Sequence, residues 1–184
     1  MTAKDAEPAI EVLYSAEQIA ARVQALADTI VADTASSEGD LLVVVILKGS
    51  FVFAADLIRA IDRAGASARV DFITLSSYGA GTSSKGIVTL THDLDENVQG
   101  RSVLIVDDVL ESGRTLDFAC ETMRKRDAGS VRSCLLLDKP EKRRISIEAD
   151  YVGFSIGNEF VVGYGLDLAH RYRGLPYIGK VVAD

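Results

Sequence analysis

Three acidic side chains, Asp107, Asp108 and Glu111, stand just ahead of Ser112, Gly113, Arg114 and Thr115. That set of residue types can hold a phosphorylated sugar. Backbone N–H groups at a helix start are unpaired and carry the positive end of the helix dipole, so they bind phosphate. Gly113 allows the backbone to approach a ligand closely, and Ser112 and Thr115 add hydroxyl donors. Carboxylates cannot bind the phosphate itself. They can accept hydrogen bonds from ribose hydroxyls, directly or through a bound metal. Glu111 is placed to exchange a proton with a base.

The flanking sequence supplies the elements that position these groups. Val103 to Val106 is an unbroken apolar, β-branched run, which suits a strand covered on both faces. Leu116, Ala119, Cys120 and Met123 recur at helical spacing. Asp107 to Thr115 then forms the connection at the carboxyl end of a strand, where open parallel sheets bind their ligands. The plainer alternative is a polar loop with Ser112 or Thr115 as an N-cap. It leaves two adjacent acids and Glu111 without a role. No Walker loop, G-x-x-x-x-G-K-[ST], occurs in the chain.

The stretch Val103 to Leu116 resembles the phosphoribosyl-pyrophosphate motif of type I phosphoribosyltransferases, and its context resembles their 6-oxopurine branch. The family usually has Asp at the position of Glu111 and often Glu at that of Asp107. Both exchanges keep the charge and move a carboxylate by one methylene. The resemblance implies an α/β fold: a central, mostly parallel sheet flanked by helices, with a small hood from the chain ends. It also implies that Asp107 and Asp108 serve ribose and metal, and that Ser112, Gly113, Arg114 and Thr115 hold the 5′-phosphate.

Composition sets the bounds. The chain has 184 residues, enough for one domain with a substantial core. A formal charge of −7 argues against a nucleic-acid or anionic-membrane surface. The two cysteines, Cys120 and Cys134, are too few for a disulfide framework or zinc site and fit buried thiols in a reducing cytoplasm. No apolar run reaches membrane-spanning length, and Met1 to Pro8 resembles no signal peptide.

Along the chain, Ile10 to Tyr14 fits a short strand. Ser15-Ala-Glu-Gln18 is a capping box ahead of the helical face Ile19, Val23, Leu26 and Ile30. Leu41 to Leu47 is a second central strand, followed by Lys48-Gly49-Ser50 and a helix marked by Phe53, Leu57 and Ile61. From pattern alone Lys48-Gly49 is a simple turn. By resemblance, Leu47-Lys48-Gly49 matches the family's pyrophosphate loop, in which a non-proline cis peptide turns a backbone N–H toward pyrophosphate. Val70 to Leu75 is a third strand. Ser76 to Gly86 is rich in Gly and Ser and is expected to be mobile. Ser77-Tyr78 resembles the family's lid pair, whose closure excludes water. Ile87 to Leu90, Val131 to Leu137, Tyr151 to Phe154 and Ile178 to Val182 are further strands, and Glu141 to Arg144 is a charged, solvated loop. The chain is expected to be one domain, with a core over about 38–150, a hood from about 10–20 and 151–184, and a lid over about 76–91.

A nucleoside-forming site also needs an aromatic surface and a few orienting polar groups. Lys139, just beyond a strand end, can donate to a base carbonyl such as O6. By resemblance, Phe160 is the stacking residue and Val161 its backbone contact. Asp167 is a magnesium carboxylate, alongside Asp107 and Asp108, and also flanks the purine. Arg173 faces pyrophosphate. Singly, each has a plain alternative: core for Phe160 and Val161, a surface charge cluster for Asp167 and Arg173, and a solvated loop for Lys139.

The implied activity is transfer of a phosphoribosyl group from phosphoribosyl pyrophosphate to a 6-oxopurine, with Mg2+ as cofactor and Glu111 as general base or acid at N7. A cytoplasmic homodimer or homotetramer with small-molecule substrates is implied as well. The alternatives are a sister enzyme preferring xanthine or guanine, a non-catalytic nucleotide- and RNA-binding regulator, and a dinucleotide oxidoreductase. The missing basic stripe counts against the regulator, and the absence of G-x-G-x-x-G against the oxidoreductase.

Overall fold

The computed structural model describes residues 8–35, 40–78 and 87–182. Two strands set its centre: the all-apolar β2 (Leu41–Leu47) and β5 (Ser102–Leu110), whose apolar run is Val103 to Val106. Their side chains alternate between two cores. Val43, Val45, Leu104 and Val106 face one, and Leu42, Val44, Val103 and Ile105 face the other. Period-two alternation with every position buried is what a sheet covered on both sides requires.

The first core is closed by α1 (Ala16–Thr34) and α2 (Phe51–Arg63), through Ile19, Val23, Leu26, Ile30, Phe53, Leu57 and Ile61. The second is closed by α3 (Arg114–Arg124), through Leu116, Ala119, Cys120 and Met123. The capping box at Ser15 forms as expected: Gln18 N–H donates to Ser15 Oγ, and Ser15 N–H to Gln18 Oε1. Cys120 and Cys134 are buried free thiols.

Six strands make the large sheet. These are β2, β5, β3 (Ala68–Tyr78), β4 (Ile87–His92), β6 (Ser130–Asp138) and β7 (Tyr151–Ser155). Their order is β4-β3-β2-β5-β6-β7, with β4 alone antiparallel. From β2 the chain winds outward to β3 and β4, then returns to lay β5 on the other side of β2. The winding therefore reverses between β2 and β5. At that point the loops leaving neighbouring strands diverge and open a crevice at their carboxyl ends.

A smaller antiparallel sheet joins the chain ends in the order β1 (Ala9–Tyr14), β9 (Ile178–Val182), β8 (Val161–Val162). The expected hood boundaries need adjustment on both sides. β7 is the outer strand of the large sheet, because Cys134, Leu135 and Leu137 pair with it, so the second hood segment starts after residue 155. Residues 16–20 open α1 and belong to the core layer. The arms of the expected lid are β3 and β4, paired from Thr74↔His92 to Tyr78↔Ile87. Its tip, residues 79–86, lies outside the described residues.

Candidate active site

At the carboxyl end of β5, between the start of α3, Lys139 after β6 and the hood strand β8, lies a cleft of about 490 Å³. Asp107, Asp108, Glu111, Ser112, Gly113, Arg114, Thr115, Lys139, Phe160, Val161 and Asp167 all line it. Val88, Val109, Leu110, Leu116 and Leu166 complete the lining, and none of them was given a role in the site from sequence.

Asp107 and Asp108 lie on β5, not in the connection where the sequence pattern placed them. Asp107 stays in register with Leu135, and Val109 with Leu137, so the true loop is only Glu111-Ser112-Gly113. Asp108 continues the face of Leu104 and Val106. Its carboxylate packs on Gly49 so closely that a Cβ built there would meet Asp108 Oδ2 at 1.6 Å. Burial, then the charge of Asp108, pushes the Asp107 carboxyl well above the usual range. Burial also raises Asp108, against the opposing pull of Arg173. Two adjacent buried carboxylates with so little compensating charge favour a hard cation. Among the described residues no three His, Cys, Asp or Glu side chains converge as a metal cage. Asp167 instead pairs with Arg173 at 2.6 Å and accepts the His170 N–H at 2.7 Å. Asp107 and Asp108 are the residues that could hold a magnesium ion here, with water or substrate completing its coordination.

At the helix start, the N-cap is Gly113, not Ser112 or Thr115. Its φ is +86°, a region that L side chains rarely adopt, and it makes no side-chain cap bond. The first-turn N–H groups thus face the cleft largely without protein partners. The segment 143–147 crosses above them. Arg144 and Ile145 donate backbone N–H to Ser112 O, and a Cβ on Gly113 would meet Ile147 Cγ2 at 2.7 Å. Gly113→Ala is expected to cost about 1–3 kcal/mol of stability and to weaken nucleotide 5′-phosphate binding. Thermal melts with and without nucleotide would check both, and an unchanged affinity would remove the anchor role.

Glu111 opens the loop, with its side chain 45% exposed. Its Oε1 accepts Lys139 Nζ at 2.7 Å and Lys142 Nζ at 3.3 Å. Burial alone would raise its carboxyl, but the two ammonium groups outweigh that and hold it below the usual range. Lys139 is only 4% exposed, a buried cation whose partner is this carboxylate. The expectation of a solvated loop over Glu141 to Arg144 holds at its exposed ends, Glu141 and Arg144, and fails between them. Pro140–Lys142 is a 3-10 turn that brings Lys142 to Glu111. Arg143, 16% exposed, pairs with Asp138 and donates Nη1 to the carbonyl oxygens of Leu110 and Glu111. It clamps the loop that carries Glu111.

Opposite, Phe160 stands 51% exposed at the cleft wall while its neighbour Val161 is buried in β8. A large exposed aromatic in a cleft is a stacking surface in want of a partner. Lys48, Gly49 and Arg173 are not part of the cleft lining. Lys48 is exposed, the Leu47–Lys48 peptide is cis, and Gly49 reaches the site through Asp108. Ser77 and Tyr78 end β3, but their side chains lie outside the described residues.

An acidic strand end beside a helix start with free N–H groups can hold a phosphorylated sugar. The family model for the phosphoribosyl transferase domain matches residues 10–168. The chain belongs to the phosphoribosyl transferase family.

The chain is 45% identical over 173 residues to the hypoxanthine phosphoribosyltransferase of Escherichia coli, covering 94% of this chain and 96% of that one. It is 46% identical over 174 residues to the hypoxanthine-guanine phosphoribosyltransferase of Mycobacterium tuberculosis, covering 92% and 85%. Its fold superposes on the crystal structure of a hypoxanthine-guanine phosphoribosyltransferase from Bacillus anthracis with a TM-score of 0.87. That pair is 44% identical, covering 96% of this chain and 100% of the other.

Proposed function

We propose that this enzyme transfers the 5-phosphoribosyl group of phosphoribosyl pyrophosphate to hypoxanthine and guanine, giving the nucleoside 5′-monophosphate and pyrophosphate in purine salvage. The observation that carries the substrate reading is the Glu111–Lys139 pair, an acceptor and a donor 2.7 Å apart on one wall of the cleft. A 6-oxopurine presents the matching edge, with N7–H to donate and O6 to accept. Phe160 supplies the face on which the ring stacks. Adenine places an amine opposite Lys139, donor against donor, and is rejected.

The uncapped start of α3 holds the 5′-phosphate. Asp107 and Asp108 accept from the ribose hydroxyls or hold a cation with them, and Asp167, which lines the same cleft, holds Arg173. When bound, magnesium neutralises the departing pyrophosphate and orients the ribose hydroxyls. Arg173 and the Lys48–Gly49 loop face pyrophosphate, and the Ser77–Tyr78 strand end carries the lid. Breaking the bond from the anomeric carbon to pyrophosphate leaves a cationic sugar, purine N9 bonds to that carbon, and Glu111, held ionised by its lysines, takes the N7 proton. As in the family, the working form is a homodimer or homotetramer in the cytoplasm. No helix among the described residues is long and apolar enough to cross a membrane.

Calorimetric titration with IMP, GMP and AMP tests the substrate reading. A charge-assisted hydrogen bond contributes about 1.5–3 kcal/mol. IMP and GMP should therefore bind about 10- to 100-fold more tightly than AMP. In these nucleotides N7 carries no proton, so the contact compared is Lys139 with O6, and equal affinity for AMP would remove Lys139 as the selector.

A further inference from the structure

The turn Gly163-Tyr164-Gly165 has three consecutive residues at positive φ: +94°, +50° and +101°. The two glycines adopt such angles freely. Tyr164 does not, and a bulky residue persists there only where its surroundings force it. Its ring is buried, and its hydroxyl donates to Asp56 Oδ2 at 2.6 Å. Asp56 lies on α2, the helix that begins just after the Lys48–Gly49 loop. Backbone bonds hold the same turn from the other side: Tyr164 N–H to Leu175 O at 2.8 Å and Gly165 N–H to Arg173 O at 2.9 Å.

Two close approaches connect this turn to the site. A Cβ on Gly165 would lie 2.2 Å from Gly49 O, and one on Gly49 would lie 1.6 Å from Asp108 Oδ2. Arg173 Nη1 donates to Gly165 O at 2.6 Å while its Nη2 meets Asp167. Gly165 is thus the point where the loop after β2, the arginine after β8 and, through Gly49, the acidic end of β5 converge.

We propose that Tyr164 and Asp56 are a positioning pair for the pyrophosphate side of the cleft. Their bond ties the strained turn to α2 and so sets Arg173 and the Lys48–Gly49 loop at the spacing pyrophosphate requires. The 5′-phosphate and purine subsites, built on α3, Lys139 and Phe160, do not depend on the pair. Burial and then the bond to Asp56 push the Tyr164 phenol far above its usual range, so it remains a donor across the working pH.

This proposal rests on the reading of Arg173 and Lys48–Gly49 as the pyrophosphate side. The test is calorimetric binding of magnesium pyrophosphate and, separately, of IMP to the intact protein and its variants. Tyr164→Phe keeps the ring and removes the donor. It should weaken magnesium pyrophosphate about 10-fold, the size of one lost hydrogen bond, and leave IMP within about two-fold. Asp56→Ala, at a partly exposed position, should reproduce that loss should the tyrosine variant fold poorly. Asp56→Asn keeps an acceptor and should restore binding. Unchanged pyrophosphate affinity in both Tyr164→Phe and Asp56→Ala would overturn the proposal. So would equal weakening of both ligands, the mark of general loosening. If the unaltered protein binds IMP but no pyrophosphate, the pyrophosphate reading itself falls, and this proposal with it.

Discussion

Replacing Glu111 by Gln is expected to lower turnover by about 100- to 10,000-fold, the usual contribution of a positioned general base. The amide cannot take the N7 proton, yet it occupies the same volume at a half-exposed position. The helix start that anchors the 5′-phosphate is made of backbone from Gly113 onward, so nucleotide binding should survive. Steady-state kinetics and IMP titration on the same preparation would separate these effects. Unchanged turnover would remove Glu111 from the proton transfer, and collapse of IMP binding would assign it a structural role as well. Its carboxyl is held low, so the ionised form persists as pH falls until the depressed value is crossed. The acid limb of kcat/KM should therefore lie below about 4.3, the ordinary glutamate value. The stability of the Glu111–lysine cluster has the same sign: present at neutral pH and lost as pH falls through that depressed value.

Lys139→Met is expected to reduce kcat/KM for hypoxanthine and guanine by about 10- to 100-fold, from the loss of one charge-assisted hydrogen bond to O6. Methionine fills the buried volume without a donor. The larger signature should be in selectivity: adenine no longer meets an opposing donor, so discrimination against it should shrink by a similar factor. A second signature follows from the removal of one cation beside Glu111. The acid limb of the pH profile should move upward, with Lys142 left as the only ammonium partner. Rates for each base across pH would show both. Intact selectivity with a lowered rate would mean that Lys139 serves Glu111 and not the purine.

The parts of this site that could be read in the sequence are those whose signal is local. Val103 to Leu116 compresses strand, acids, glycine and helix start into one run, and most of the cleft lies within it. The unbroken apolar runs at Leu41 to Leu47 and Val103 to Val106 made both strands legible for the same reason. Even so, the apolar run understated β5, because pairing with β6 carries Asp107 and Asp108 into the strand despite their polarity. The charged stretch 141–144 looked solvated because its partners are distant in sequence: Arg143 meets carbonyls some thirty residues back. Tyr164 and Asp56 are separated by still more, and their bond is set by how the hood docks on α2. The need for glycine at the helix start was hidden for a different reason: a Cβ on Gly113 would meet Ile147 Cγ2, which is distant in sequence.

The most direct measurement is a magnesium-dependent assay of the purified protein with phosphoribosyl pyrophosphate and, separately, hypoxanthine, guanine, xanthine and adenine, following nucleotide and pyrophosphate together. Rapid, equimolar formation of IMP and pyrophosphate from hypoxanthine, GMP formation from guanine, and little product from adenine is the predicted result. No product from any 6-oxopurine, with phosphoribosyl pyrophosphate nevertheless bound, would contradict the account and leave the cleft as a nucleotide-sensing site.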